Sequence, residues 1–206
     1  MAVAAFHNKR DQAREAIILD VARDCFLADG YAATSMSTIA ARLGGSKGTL
    51  YNYFKNKEEL FAAVIQRQCG EALAGLQALA AVEADPRTQL IRMTRNLLSH
   101  IMSPDAMAMN RLVIGESERF PELAQVFYES GPRRGQELMA ERLQALMDAG
   151  QLRRADADEA ASQLKDLTIG NLMWLKMWGV RPERSPAEID RYVAAGVDTF
   201  LRAYAP

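Results

Sequence analysis

The polar side chains between positions 42 and 57 are of the types that contact nucleic-acid phosphates and base edges. Lys47 can reach a phosphate or a guanine edge, Asn52 can pair with adenine, and the Thr49 hydroxyl can reach a phosphate. No Asp or Glu occurs from Gly30 to Lys57, whereas four cations lie there in a chain of formal net charge −1. This concentration of positive charge predicts a surface for an anionic polymer.

Two short helices that meet at a tight turn would position these side chains. The first begins at Thr34 or Ser35, whose hydroxyl can cap it, and its apolar residues recur at helical spacing: Met36, Ile39, Ala40 and Leu43. Gly44-Gly45 ends this helix, because glycine adopts a positive φ without steric cost. Ser46 then caps a second helix, which runs from Lys47 to about Phe54. The pattern is typical of a helix-turn-helix.

The second helix is short and largely polar, so packing alone does not account for it. Leu50 and Phe54 can face inward and leave the polar residues outward. Gly48 carries no side chain, which lets the backbone approach a duplex closely. We predict that DNA is contacted by Thr34, Ser35, Arg42, Ser46, Lys47, Gly48, Thr49, Tyr51, Asn52, Tyr53, Lys55 and Lys57.

The order of residues in this region closely resembles the DNA-binding domain of the tetracycline-repressor (TetR) family of bacterial regulators. The resemblance covers about the first 60 residues and rests on Gly30-Tyr31, Thr34, Ile39-Ala40, Gly44, Ser46, Gly48, Leu50-Tyr51, Tyr53-Phe54, Lys57 and Leu60. Gly45 departs from the family pattern, which usually has valine or methionine there. The resemblance implies a dimeric regulator, most often a repressor, that binds a palindromic operator in double-stranded DNA.

The composition predicts an all-α protein. The chain has 206 residues, 49% of them hydrophobic, with few alternating patterns. We predict a helix-turn-helix domain over residues 1–56 and a larger helical effector-binding and dimerisation domain over 57–206, connected by a helix over 57–80. Nothing indicates a membrane span or an export signal, so the expected location is the cytoplasm. Cys25 and Cys69 have no metal or redox spacing, and we expect neither a metal nor a cofactor.

Capping signals delimit the remaining helices. Residues 1–10 have no apolar period and are expected to be loose, followed by a helix over Asp11 to Asp29. Asp85-Pro86, Ser103-Pro104 and Ser185-Pro186 each place a capping residue before a proline at the first helical position. Helices are predicted over 86–102, 104–115, 121–148 with a possible break at Gly131-Pro132, 157–178 and 186–204, which brings the total to about nine.

The apolar segment 167–178 predicts a helix that is covered on several sides. One face carries Leu167, Asn171, Trp174 and Trp178, and either the core or a partner subunit or cavity could cover it. A small-molecule effector, expected to be hydrophobic or aromatic, is assigned to Met93, His100, Met107, Phe127, Asn171, Trp174 and Trp178. In the family the last two helices of each subunit form a four-helix bundle, so the homodimer interface is assigned to Leu172, Leu175, Ile189, Val193, Val197, Phe200 and Tyr204.

Two other functions are compatible with parts of the pattern. An enzyme has little support, because the sequence has no nucleophile motif, phosphate-binding glycine loop or metal-ligand spacing. A DNA-binding regulator without a small-molecule effector is the stronger alternative, and a solidly packed C-terminal domain would favour it. The leading hypothesis is a repressor that an effector releases from its operator.

Overall fold

The computed structural model describes residues 2–44, 47–79, 85–180 and 184–206, and these residues form helices joined by turns and loops, without a strand. The helices are α1 (Ala2–Asp29), α2 (Met36–Arg42), α3 (Lys47–Tyr53), α4 (Lys57–Leu79), α5 (Pro86–Ile101), α6 (Pro104–Glu116), α7 (Pro121–Ser130), α8 (Pro132–Asp148), α9 (Ala157–Lys165), α10 (Asn171–Met177) and α11 (Pro186–Ala203). A π-helical turn, Asp166–Gly170, joins α9 to α10. Counting α7 with α8 and α9 with α10 gives nine helices within these described ranges, and the predicted all-α class is confirmed.

Two helix boundaries differ from the prediction, and one predicted break is confirmed. The first helix begins at Ala2, so the segment expected to be loose continues α1. The suspected break at Gly131-Pro132 is real, because proline lacks an amide hydrogen and begins α8 at its first turn. The predicted helix over 157–178 is interrupted by the π-helical turn, which no residue pattern had indicated.

The packing divides the chain into two units. One contains the residues up to Gln68 together with Ala108–Ser130, and the other contains Cys69–Met107 with Gly131–Pro206. The predicted boundary after residue 56 therefore differs from this division in two respects. The first turns of α4 pack with the N-terminal helices, and so does a distant segment that includes most of α6 and all of α7.

An aromatic cluster forms the centre of the first unit. Phe26, Tyr31 and Phe61 have ring centroids 5.3 to 5.7 Å apart. Ile18, Ile39 and Leu50 are also completely or almost completely buried, so α1, α2 and α3 bury the faces that the apolar spacing indicated. Arg67 on α4 donates to the Ala16 carbonyl at 2.7 Å and forms an ion pair with Asp20, which fastens α4 to α1.

A largely aliphatic core lies in the second unit. Its buried residues come mainly from α5, α8, α9, the π-helical turn, α10 and α11. Ion pairs between Arg87 and Asp198 and between Arg95 and Asp190 join α5 to α11 at the surface. No helix in the described part of the chain combines the length and the apolarity needed to cross a membrane.

Candidate nucleic-acid interface

The short helix α3 presents its polar face as predicted. Leu50 and the following Phe54 are buried, which fixes the rotation of the helix. Lys47, Gly48, Tyr51 and Asn52 are exposed, and Tyr53 is partly exposed. Gly44 has a φ of 64°, the left-handed conformation that the turn between α2 and α3 requires. Gly45 and Ser46, including the predicted cap and DNA contact of Ser46, lie outside the described residues.

Thr34 is not available to DNA, which corrects that prediction. Its side chain is buried, and its hydroxyl donates to the Gly30 carbonyl at 2.7 Å, with the Cys25 carbonyl within 3.2 Å. The residue therefore closes the turn between α1 and α2. Ser35 caps α2 as expected, because its hydroxyl accepts from the Thr38 amide at 3.1 Å. Ser35 is exposed and remains a candidate for DNA contact.

Arg42 has an acidic partner that lies just outside the stretch over which the charges were counted. Its guanidinium forms an ion pair with Asp29 at 2.8 Å and donates to the Cys25 thiol at 3.4 Å. Asp29 immediately precedes the stretch in which carboxylates are absent. Burial raises the pKa of the Cys25 thiol, although the neighbouring Arg42 charge opposes this shift. Arg42 is itself exposed, as are Lys47 and Lys55, so all three remain cations at this surface.

Lys57 lies in a cage formed by groups of the first unit. Its ammonium donates to the Tyr31 carbonyl at 2.8 Å and lies 4.0 Å from the centre of the Tyr31 ring and 5.9 Å from that of Phe120. Partial burial lowers the pKa of Lys57, against the opposing charges of Glu58 and Glu116. This geometry favours a structural role for Lys57, which the sequence analysis had predicted to contact DNA.

The segment Ala108–Ser130 reaches the same cage, which sequence reasoning missed. The Glu116 carboxylate accepts from the Ala32 amide at 3.2 Å, and the Phe120 ring packs edge-on against Tyr31 at 5.6 Å. These contacts join residues more than 80 positions apart, since Ala32 and Glu116 are separated by 84. No local motif carries such a signal.

The residues assigned to an effector do not share one environment. Met93 and Met107 are buried, whereas His100 and Phe127 are partly exposed. Asn171, Trp174 and Trp178 are at the surface, and the two indole rings stack on each other with centroids 5.8 Å apart. The three residues on α10 and at its end are therefore surface residues of the chain and do not line its interior, which corrects their assignment.

Most of the residues assigned to a dimer interface belong to the core of the chain itself. Val193, Val197 and Phe200 have no exposed surface, and Leu172 and Tyr204 are buried beside them. A side chain that is completely buried within one chain cannot contact another. Leu175 and Ile189 are partly exposed and remain candidates. The apolar stripe of α11 faces inward because α5, α9 and the π-helical turn pack against it.

Thr94 on α5 is a further residue that the sequence did not single out. It has no exposed surface, and within the described part of the chain its hydroxyl oxygen has no hydrogen-bond partner. An unsatisfied buried hydroxyl costs about 1 to 3 kcal/mol, so its presence among apolar neighbours suggests a missing polar partner. Met93 and Leu97, which precede and follow it on α5, are also buried.

Comparison with known proteins relates both the N-terminal and the C-terminal part of the chain to bacterial regulators. Residues 18–64 match the model of the bacterial regulatory proteins of the tetR family, and residues 88–206 match that of the AefR-like transcriptional repressor C-terminal domain. The solved structure of the flavonoid-responsive regulator FrrA is 34% identical, covers 95% of this chain and 98% of that chain, and has a TM-score of 0.79.

Curated relatives are regulators as well. The transcriptional repressor Rv1474c of Mycobacterium tuberculosis is 26% identical over 86% of this chain and 90% of that protein. The transcriptional activator FasR of Mycolicibacterium smegmatis is 36% identical over 81 residues, and this chain covers only 36% of its length. The helix-turn-helix geometry and the two family matches, which together span most of the sequence, identify this chain as a member of the TetR family of DNA-binding transcriptional regulators.

Proposed function

We propose that this chain is a homodimeric repressor that binds a palindromic operator and that a small aromatic effector releases. DNA binding follows from the family, and the exposed polar face of α3 carries the proposal for operator reading. Because α3 has only seven residues, one copy reaches few base pairs, and two copies related by a twofold axis are expected to read two half-sites. The match to a repressor C-terminal domain supports repression.

The operator proposal is tested by selecting DNA fragments that the purified protein retains from genomic DNA. The expected result is a short inverted repeat with half-sites about one helical turn apart. Binding of one protein copy to a sequence without an inverted repeat, measured by light scattering of the complex, would contradict it.

A row of exposed side chains supports dimerisation through α10. We use the name tryptophan stripe for Leu167, Asn171, Trp174 and Trp178. Leu167, Trp174 and Trp178 are 38%, 43% and 67% exposed. Large exposed apolar patches mark interaction sites, and tryptophan is enriched at the centres of interfaces. The stripe belongs to the penultimate helical run, where the family places its dimer contact.

The dimer contact is tested with Trp178→Lys, which places a charge in the expected seam at its most exposed apolar residue. The variant should be a folded monomer at concentrations at which the parent is a dimer, with operator affinity reduced accordingly. Ile114→Lys is the matched control, because Ile114 is 54% exposed and lies in the other unit. A dimeric Trp178→Lys protein, as seen by sedimentation, would place the interface elsewhere.

The effector proposal rests on Thr94. An aromatic compound with a hydroxyl or carbonyl group could supply the hydrogen-bond partner that this buried side chain lacks, and the buried methionine and leucine side chains of the same helix suit an aromatic ring. The similarity to a regulator described as flavonoid-responsive favours a polyphenolic ring system as the first class to test. By linkage, such a compound must bind the DNA-free form better than the operator-bound form.

The test uses the flavonol quercetin as the probe and Thr94→Val as the variant, which has nearly the same shape but no hydroxyl. The parent protein should bind the flavonol and release operator DNA, and Thr94→Val should bind the flavonol about tenfold more weakly while unfolding at a higher temperature. Thr199→Val is the control, because that hydroxyl already donates to the Ala195 carbonyl at 2.9 Å. Equal flavonol affinity in both variants would exclude Thr94 from the site.

A further inference from the structure

The tryptophan stripe continues a row of residues that begins in the core. Ala160, Leu164, Leu167, Asn171, Trp174 and Trp178 follow one another at alternating spacings of four and three. In an unbroken α-helix this spacing keeps all six side chains on one face. The structure does not keep them together, because Ala160 and Leu164 have no exposed surface whereas the later residues are exposed.

The π-helical turn lies where the row changes from buried to exposed. It spans Asp166–Gly170, between the last buried member of the row and α10. A turn closed by hydrogen bonds from residue i to i+5 takes up one residue more than an α-helical turn, so the helix beyond it is set back by about 100°. This rotation moves the second half of the row away from the core, and it brings Thr168, Ile169 and Leu172 inward.

Gly196 on α11 makes room for this turn. A Cβ atom at that position would lie 2.6 Å from the Leu167 carbonyl oxygen and 2.7 Å from the Thr168 methyl group. The backbone of the π-helical turn thus occupies the space of a side chain on α11. The Thr168 hydroxyl donates to the Leu164 carbonyl at 2.6 Å, which gives that oxygen a partner within the turn.

We propose that the π-helical turn, accommodated by Gly196, is the device that turns the tryptophan stripe outward and so sets the face through which two copies of the chain associate. The inference rests on the proposed homodimer and adds the determinant of its geometry. If the same residues formed an unbroken α-helix, Asn171 and Trp178 would share the inward face of Ala160 and Leu164. The chain would then bury its indole rings and present a different surface.

A second copy of the chain suits this stripe better than another partner. A twofold contact brings the same patch of both subunits together, so the patch must complement itself. The stripe has large apolar side chains with one amide, Asn171, among them, and an amide can both donate to and accept from its own counterpart. A dimer also supplies two copies of α3, one for each half-site of an operator.

The test removes the π-helical turn but keeps the same faces of α9 and α10 turned toward the core. Deleting Asp166, which is exposed, leaves a run that can form a regular α-helix with α9 and α10 facing as before. This deletion variant should stay dimeric, with a dissociation constant within about threefold of the parent value. Gly196→Ala alone should weaken the dimer by about tenfold or more and unfold at a lower temperature, because the new Cβ meets the backbone of the turn.

Combining the two changes is the decisive measurement. Once the turn has been removed, the Cβ atom of Gly196→Ala has space, so the double variant should recover the unfolding temperature and dimerisation that the single substitution loses. A deletion variant that is folded but monomeric would overturn the inference, and so would a double variant no better than Gly196→Ala. The proposed homodimer is tested separately, because Trp178→Lys must yield a monomer whether or not the π-helical turn determines the direction in which the tryptophan stripe faces.

Discussion

Helix α3 and the C-terminal helices α9 to α11 have the same helical periodicity in sequence. This periodicity predicted the side-chain orientation correctly in α3 only. In α3, Leu50 points inward and Lys47 and Asn52 point outward, as the spacing indicates. In α11, the apolar stripe assigned to a partner subunit is the core of the chain itself. The difference shows that periodicity identifies a buried face but does not say whether the same chain or a partner subunit covers it.

A second reason for the difference is the number of apolar faces. Helix α3 has one apolar face, so only one orientation is possible. The run from α9 to α10 has several, and the π-helical turn changes which of them faces the core. A helix that is apolar all round must be covered on more than one side, and its sequence does not rank those sides.

The largest effect is expected from Val197→Lys, which tests whether the α11 stripe is core. A lysine at this completely buried position should lower the free energy of unfolding by about 3 to 5 kcal/mol and lead to unfolded or aggregated protein. Chemical denaturation followed by circular dichroism measures it. Thr199→Lys, at an exposed position of the same helix, is the control. A well-folded monomeric Val197→Lys protein would show that the stripe is an interface after all.

Asn52→Ala tests whether the outward face of α3 reads bases. Loss of the amide should weaken operator binding by about 1 to 3 kcal/mol and leave binding to random DNA nearly unchanged. Fluorescence anisotropy with both DNAs at one salt concentration measures the difference. Equal losses on the two DNAs would move Asn52 to the phosphate-contacting class.

Lys47 and Lys57, both in the first unit, differ in whether they are expected to contact phosphate. Lys47→Met should reduce the slope of log affinity against log salt by about one unit, because one phosphate contact is lost. Lys57→Met should leave that slope nearly unchanged and lower the unfolding temperature, because its ammonium is held by the Tyr31 carbonyl and ring. A similar slope change in both variants would restore Lys57 to the phosphate contacts that the sequence suggested.

The smallest effect concerns the surface ion pair between Arg87 and Asp198, which joins α5 to α11. Hydrogen bonding from Arg87 lowers the pKa of the Asp198 carboxyl from its ordinary value of 3.8. The stabilisation is therefore present at neutral pH and is lost as the pH falls through the lowered pKa. Asp198→Asn should lower the unfolding temperature slightly at pH 7 and not at all near pH 2, as measured by calorimetry. An equal deficit at both pH values would assign the effect to packing.

The sequence by itself determined the all-α class, the helix-turn-helix and the outward face of α3. Those features depend on local causes: helical spacing, capping side chains, and a glycine with positive φ at position 44. Local patterns also located the breaks before α5, α8 and α11, because proline restricts the first turn of a helix wherever it occurs.

Only the tertiary structure decided the partners of side chains that are distant in sequence. Arg42 meets an aspartate from α1, Lys57 meets an aromatic cage completed by Phe120, and Thr34 is buried in a turn. The π-helical turn depends on the absence of a side chain at Gly196, on a helix that follows later in the chain. Helical periodicity describes a helix alone, whereas these contacts depend on what packs against it.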